Sequence, residues 1–188
     1  MIRRSALHVL AACAASALVA GCGGSDEKAA TTAPEQHSGR FPEAGISFTP
    51  PPGFQVKPGK GRLVASVEAG HGTIAIWRYP RKEELPETKD ELKAARDALL
   101  EAAAEADETF EPIKTAPTEI AGHPAVQIRA RETIAGRPRT VRSSHIYAYG
   151  AEVIVDAYAE HDRFREIDAQ VFRPMLRSLR VTEPRGGS

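Results

Sequence analysis

A serine, a histidine and an aspartate lie close enough in this sequence to form a hydrolytic site. His145 follows Ser143 and Ser144, and Asp156 comes in the next extended segment, after a short turn. If the two segments pair as a hairpin, Ser143, His145 and Asp156 can meet as nucleophile, base and orienting acid. However, no serine lies in a Gly-x-Ser-x-Gly motif, which exposes the nucleophile in many hydrolases. We therefore rank hydrolysis behind the binding functions considered below.

Metal and cofactor chemistry have little support in the sequence. The histidines beyond the N-terminal segment are scattered, and none has a histidine or cysteine partner at the i+2 or i+4 spacing of metal ligands. They are His37, His71, His123, His145 and His161. Neither common form of glycine-rich phosphate loop is present. We predict no catalytic residue, no metal site and no cofactor.

The charge pattern gives the clearest sign of an interaction surface. The segment from Arg81 to Glu119 is acidic, whereas the segment from Ile120 to His145 carries five arginines and one glutamate. Like charges that face each other on a sheet are unfavourable unless something neutralises them. The neutralising group is either an acid of the same domain (Glu132, Glu152 or the helix at 91–108) or an acidic partner or anionic lipid headgroups. The candidate partner-binding residues are Arg129, Arg131, Arg139 and Arg142.

The first residues of the chain predict export and anchoring. Arg3 and Arg4 precede a weakly apolar stretch at 6–20, which is typical of a secretory signal and too short to cross a bilayer. The stretch ends in Val-Ala-Gly21-Cys22, which resembles the lipobox of bacterial lipoproteins. The resemblance implies cleavage between Gly21 and Cys22, and acyl chains on Cys22 that anchor the protein in a membrane on its extracytoplasmic side. An outer membrane is allowed if the cell has one.

Composition predicts a single folded domain behind a flexible tether. Residues 22–40 have almost no large apolar side chains, so they cannot bury enough apolar surface to offset the conformational entropy that ordering would cost. Residues 41–183 have the size of one domain, and 184–188 form a disordered tail. Without Arg3 and Arg4 the chain has 23 basic and 25 acidic residues, which argues against a nucleic-acid partner. The only cysteines are Cys13 and Cys22, so the domain itself contains no disulfide.

The hydrophobic pattern predicts an α+β domain. Runs rich in strand-forming residues at 62–67, 73–79, 124–134, 139–149 and 151–158 are separated by turn residues and favour a mainly antiparallel sheet. The consecutive apolar residues 153–155 are typical of a central strand that is covered on both faces. Thr88 and Glu91 form a capping-box pattern that begins one long helix, which ends near Asp107. The segment 162–179 is a second helix, in which Pro174 predicts a kink or a division into two short helices.

The opening and the ending of the domain resemble those of the PsbP-like superfamily, which includes LpqN-type and DcrB-type proteins. The resemblance lies in Gly45-Ile-Ser-Phe-Thr-Pro-Pro-Pro-Gly-Phe54, in Ile120-Ala-Gly-His-Pro-Ala125 and in Phe172-Arg-Pro-Met-Leu-Arg-Ser-Leu-Arg-Val181. Phe54 stands where the superfamily usually has tryptophan. The resemblance implies helices on both faces of the sheet, an α/β/α sandwich, and a role in binding or supporting protein partners.

Our leading hypothesis is therefore a membrane-anchored lipoprotein of the cell envelope whose domain binds another envelope protein and is not an enzyme. A carrier of a small apolar or lipid ligand, held between sheet and helices, is the alternative. The aromatic residues Trp77, Tyr79, Tyr147, Tyr149 and Tyr158 can line such a pocket, although aromatics on strands more often belong to the core.

Overall fold

The computed structural model describes residues 38–185. The strands are β1 (Arg40–Phe41), β2 (Ile46–Ser47), β3 (Gln55–Pro58), β4 (Leu63–Ala69), β5 (Gly72–Pro80), β6 (Glu111–Ile120), β7 (His123–Ile134), β8 (Arg137–Ala148), β9 (Ala151–Glu160) and β10 (Arg180–Val181). Helix α1 spans Lys89–Ala106, and a C-terminal helical run consists of α2 (Phe164–Ile167), a π-helical segment (Asp168–Phe172) and α3 (Arg173–Ser178). The predicted α+β class is confirmed.

Seven strands form one antiparallel sheet in the order β3-β4-β5-β9-β8-β7-β6. Strands β6 to β9 follow one another through two-residue turns, each with a left-handed residue followed by a left-handed glycine: Ala121-Gly122, Ala135-Gly136 and Tyr149-Gly150. Positive φ at both central residues suits the right-handed twist of a hairpin. A small sheet of order β1-β2-β10 joins the start of the domain to its end.

The sheet has two covered faces, each with its own core. On one face, which we call the C-terminal face, the helical run and the small sheet bury a large cluster that includes Ile76, Phe172 and Leu179. On the other face, the α1 face, Leu92 of α1 packs against Val126 and Ile128. Helices therefore lie on both faces, as an α/β/α sandwich requires.

Helix α1 begins as its sequence predicts. Glu91 N–H donates to Thr88 Oγ1 at 3.3 Å, and the Glu91 carboxylate accepts from Thr88 N–H at 2.9 Å. This reciprocal capping box satisfies N–H groups that have no partner within the helix. The helix ends at Ala106, next to the expected Asp107.

The C-terminal helical run differs in detail from the expected kink. It continues without a break from Phe164 to Ser178, but a π-helical segment at Asp168–Phe172 precedes Pro174. Arg173 N–H donates to Asp168 O in the wider i→i+5 pattern, within the turn that precedes proline. Proline has no N–H to donate, so the local change in helix type accommodates a residue that an ordinary α-helix tolerates poorly.

Some predictions fall outside the described residues. The signal segment 1–21, the cleavage site at Gly21 and Cys22, and almost all of the tether at 22–40 are among them; Arg40 already belongs to β1. At the other end, Arg185 N–H donates to Pro42 O at 3.0 Å, so residues 184 and 185 are attached to the domain. No helix within residues 38–185 has the length and apolar character needed to span a membrane.

Candidate functional site

The three residues that suggested hydrolysis do meet on the α1 face. Ser143 and Asp156 are cross-strand partners of β8 and β9, and Ser143 Oγ donates to Asp156 Oδ1 at 2.6 Å. His145 Nε2 lies 3.0 Å from the same hydroxyl. His145 Nδ1 lies 2.7 Å from Glu152 Oε1, and Arg81 donates to the other oxygen of Glu152. The result is a chain of five side chains in which Glu152, not Asp156, holds the histidine.

Burial and hydrogen bonding together shift the pKa values of the two carboxyl groups among these five side chains. Burial alone would raise the pKa of Glu152, but hydrogen bonds and charges from His145 and Arg81 outweigh it, and the pKa lies below its ordinary value. Burial raises the pKa of Asp156, and the hydrogen bond from Ser143 only partly opposes this. Glu152 and Asp156 lie on the same face of β9, yet the pKa of Glu152 is lowered and the pKa of Asp156 is raised.

The Ser143 hydroxyl has a single proton to share between two neighbours. When it donates to Asp156, a hydrogen bond with His145 requires a proton on Nε2 that points at Oγ. When Asp156 is protonated, the hydroxyl is free to donate to Nε2 instead. The chain can therefore move a proton between an acid and an imidazole, although Oγ is not free to attack a substrate while it donates to Asp156.

Two further features argue against hydrolysis at Ser143. The strand that carries it is paired on both sides, with Ile128 of β7 and Asp156 of β9. The backbone N–H groups around the hydroxyl therefore belong to the sheet ladder and do not point at a developing oxyanion. His145 and Glu152 are buried, at 7% and 2% exposure, so the base has little room to shuttle a proton to a substrate. The arrangement fits a structural polar network.

A group of aromatic and arginine side chains lies on the same face, toward the strands that α1 does not contact closely. Helix α1 packs on β6 and β7, whereas Trp77 and Tyr79 on β5 stay half-buried. Their rings lie 6.5 Å apart, and the Arg62 guanidinium lies 5.2 Å from the centre of the Tyr79 ring. We call Arg62, Trp77 and Tyr79 the aromatic cluster. Of the other tyrosines, Tyr147 is buried in the core and Tyr149 is 47% exposed.

On the C-terminal face, three cations stand in one row across three strands. Lys114 is the cross-strand partner of Arg129, and Arg129 is the partner of Arg142. Residues opposed in this way lie about 5 Å apart and on the same face, so their charges repel. Within residues 38–185 no salt bridge to Lys114 or Arg129 is found, and the buried Nε of Arg129 lacks a hydrogen-bond partner there.

Arg142 is held by a buried carboxylate of the π-helical segment. Its Nε and Nη2 donate to the two oxygens of Asp168 at 2.6 and 2.8 Å, and its Nη1 donates to Gln127 at 2.6 Å. Arg173 approaches the same carboxylate at 3.4 Å from an exposed position. One acid thus serves two arginines. We call Lys114, Arg129, Arg131, Arg142 and Arg173 the basic surface.

The remaining candidate arginines have acidic neighbours. Arg131, on the same face as Arg129, contacts Glu111 at 2.9 Å, and both side chains are about half exposed. Arg139 lies on the α1 face and is 3.6 Å from Glu160. The acids that form salt bridges with these arginines are Asp168, Glu111 and Glu160. Of the groups suggested by the sequence, Glu132 is the cross-strand partner of Arg139 but forms no salt bridge with it. Arg129, Arg131 and Arg142 share a surface, and Arg139 does not.

Two sites considered from the sequence gain no structural support. Within residues 38–185 no group of three His, Cys, Asp or Glu side chains is arranged to hold a metal ion. The space between the sheet and the C-terminal helical run, lined by Ile74, Phe172 and Met175 among others, measures ≈ 10 Å³. That volume holds about one water molecule. A lipid carrier would need a much larger apolar cavity at this position. The larger space of ≈ 400 Å³ beside Phe54 and Ile167 is open to solvent and is bordered by the charged side chains of Glu68, Arg163 and Glu166.

Sequence reasoning missed Glu152 as the partner of His145 and Asp168 as the partner of Arg142. Glu152 could have been found, because it lies four residues before Asp156 and hence on the same strand face. A further missed residue is Glu132, for which burial, together with the charges of Asp156 and Asp107, raises the pKa to about 7.

Comparison with known proteins identifies the fold. No family model matches the chain, and no curated protein sequence matches it. Among solved structures, the cyanobacterial PsbP (CyanoP) of Synechocystis sp. PCC 6803 superposes with a TM-score of 0.56 at 14% identity, over 74% of this chain and 88% of that one. LpqN, involved in cell envelope biogenesis of Mycobacterium tuberculosis, gives 0.52 at 14% identity, over 73% and 83%.

A third structure, a protein of unknown function from Pseudomonas aeruginosa described as a putative regulator (PA94), gives a TM-score of 0.50 at 16% identity, over 78% of this chain and 88% of that one. These identities are too low to carry over a function, and the similarity concerns the fold. The described domain therefore has the PsbP-like fold that its opening and closing motifs predicted.

Proposed function

We propose that this protein is a lipid-anchored protein of the cell envelope whose folded domain binds another envelope protein and catalyses no reaction. The anchor rests on the lipobox-like segment that ends at Cys22. The absence of catalysis is supported by the way Ser143 is bonded within the polar network. The known envelope role of LpqN, which shares the fold, is compatible with this proposal.

The aromatic cluster is the observation that best supports protein binding. Tryptophan, tyrosine and arginine are the residues most enriched where partner proteins bind tightly. Here all three types lie together, with Trp77 and Tyr79 half-buried on β5 and Arg62 exposed in the turn that precedes β4. A rigid sheet holds them, so little conformational entropy is lost on binding. We infer that the partner presents apolar and acidic groups to this cluster.

The anchor is tested by cell fractionation. A Cys22→Ser variant should leave the membrane fraction, because the acyl chains have no other attachment site. Persistence of the variant in membranes, after correct processing, would show that something other than the lipid holds the protein.

The binding role is tested by crosslinking in cells followed by purification of the full chain. Tyr79→Ser and Arg62→Gln should reduce the yield of a specific crosslinked protein at least tenfold. Tyr149→Ser and Arg96→Gln are matched controls, because Tyr149 is exposed, Arg96 is partly exposed, and both lie outside the aromatic cluster. A crosslinked partner that is retained equally by all four variants would contradict the proposed surface, and the absence of any specific partner would contradict the function.

A further inference from the structure

The basic surface has an excess of positive charge that the domain does not neutralise. Lys114 and Arg129 have no salt bridge within residues 38–185, and Arg142 and Arg173 share the single carboxylate of Asp168. Only Arg131 has an acid of its own, Glu111. The surface therefore carries about three unneutralised positive charges on one side of the sheet.

We propose that the basic surface rests on anionic phospholipid headgroups of the membrane that carries the anchor, so that the C-terminal face of the domain is turned toward the bilayer. The inference rests on the proposed function for the anchor alone. It assigns the partner-binding role to the opposite side of the sheet, where the aromatic cluster lies.

The composition of the surface favours a membrane over a protein. The neighbours of the cationic row on this face are short or polar side chains, Ala116, Thr118, Gln127 and Thr140. Tight protein interfaces need buried aromatic or aliphatic anchors at their centre, with charged residues at the rim. Anionic headgroups need only accessible positive charge, and each lysine or arginine near them contributes about fivefold to binding.

The length of the tether brings the domain within reach of the headgroups. The tether predicted at 22–40 lies almost wholly outside the described residues. A flexible chain of about this length spans on the order of 25 Å, which is comparable to the size of the domain itself. The domain is thus held beside the bilayer, and charge decides which side faces it.

The opposite side supports the same orientation. Helix α1 lies on the α1 face and exposes acids such as Asp90, Glu101 and Glu105. Anionic headgroups repel these acids and attract the basic surface, so both interactions turn the domain the same way. At physiological salt such forces act over about 8 Å, which restricts them to a domain already close to the bilayer.

Two native lysines report the orientation. Lys114 belongs to the basic surface and Lys93 to α1, and both are exposed. The mature chain, coupled through the Cys22 thiol to a maleimide lipid, is placed on vesicles of phosphatidylcholine with or without phosphatidylglycerol. Acylation of each lysine is then followed by mass spectrometry. We expect acylation of Lys114 to slow at least fivefold on the anionic vesicles, with no change at Lys93 and with recovery at high salt.

Variants connect the effect to the row of charges. Arg129→Gln combined with Arg173→Gln should abolish most of the protection of Lys114, whereas Arg96→Gln on α1 should not. Equal acylation of Lys114 on both kinds of vesicle would overturn the inference, as would protection of Lys93 instead. Protection of Lys114 only by an acidic protein from the envelope would also overturn it. None of these outcomes affects the proposed function, which is tested at the aromatic cluster.

Discussion

Replacement of Asp168 by asparagine tests how the helical run is joined to the sheet. The Asp168 and Arg142 side chains are 9% and 14% exposed and share two short hydrogen bonds. The change keeps the shape of the side chain but removes the negative charge. Arg142 would then lie beside Arg129 and Arg173 without an acid, and it would keep its bond to Gln127 and one bond to the new amide oxygen.

The expected loss follows from the burial of the pair. Removal of one partner of a buried ion pair typically costs about 3–5 kcal/mol, since it leaves an uncompensated charge. Because Arg142 keeps Gln127 and some contact with water, we expect the lower end, about 3 kcal/mol. With a urea dependence of about 2 kcal/mol per molar, the midpoint of unfolding should fall by about 1.5 M.

Urea denaturation followed by circular dichroism measures this change, with two variants for comparison. Glu111→Gln breaks the exposed pair with Arg131 and should cost about 1 kcal/mol at most. The double change Asp168→Leu with Arg142→Met removes both charges and should recover most of the stability. A loss below about 1 kcal/mol for Asp168→Asn would refute the view that this ion pair holds the helical run on the sheet.

Three further changes probe other parts of the domain. Because burial raises the pKa of Glu132 from 4.5 to about 7, its contribution to stability is full below pH 4.5 and is lost as the pH rises through 7. Glu132→Gln should remove this decline and melt at a higher temperature than the original protein at pH 8; an unchanged pH profile would contradict the assignment. Thr88→Ala removes the cap of α1 and should cost about 1 kcal/mol in urea unfolding, while Thr118→Ala, an exposed strand residue, should cost much less. Ser143→Ala leaves Asp156 and His145 without their shared partner and should lower the free energy of unfolding by about 1–3 kcal/mol. A serine-reactive phosphonate should not label the original protein. Labelling of the original protein that disappears in the Ser143→Ala variant would support hydrolysis at Ser143.

Much of the fold follows from local sequence signals. The hairpins of β7, β8 and β9 were predicted because apolar alternation is interrupted at Gly136 and Gly150, the residues that the tight turns require. The capping box of Thr88 and Glu91 fixed the start of α1 for a similar reason. In these cases residues close in sequence carry all the information.

The candidate sites depend on contacts that no local signal reveals. The register of β8 and β9 was sufficient to bring Ser143, His145 and Asp156 together, and that prediction was right. The pairing of Arg142 with Asp168 depends on how the helical run docks on the sheet, which the periodicity of either segment does not determine. Pro174 indicated an irregularity in the helix but not its type or position.

The π-helical segment ties the spacing of the two ends of the helical run to a single additional residue. Deletion of Ala169 or Gln170 would let the run become an ordinary α-helix, and both ends would keep their present faces, because the i→i+5 turn holds one more residue than an α-turn over nearly the same rotation. Deletion of one residue in α2 or α3 would instead rotate one end by about 100° relative to the other. Either Phe164 or the pair of Met175 and Leu179 would then leave the core. The run should therefore tolerate the loss of a residue in the π-helical segment better than the same loss on either side of it.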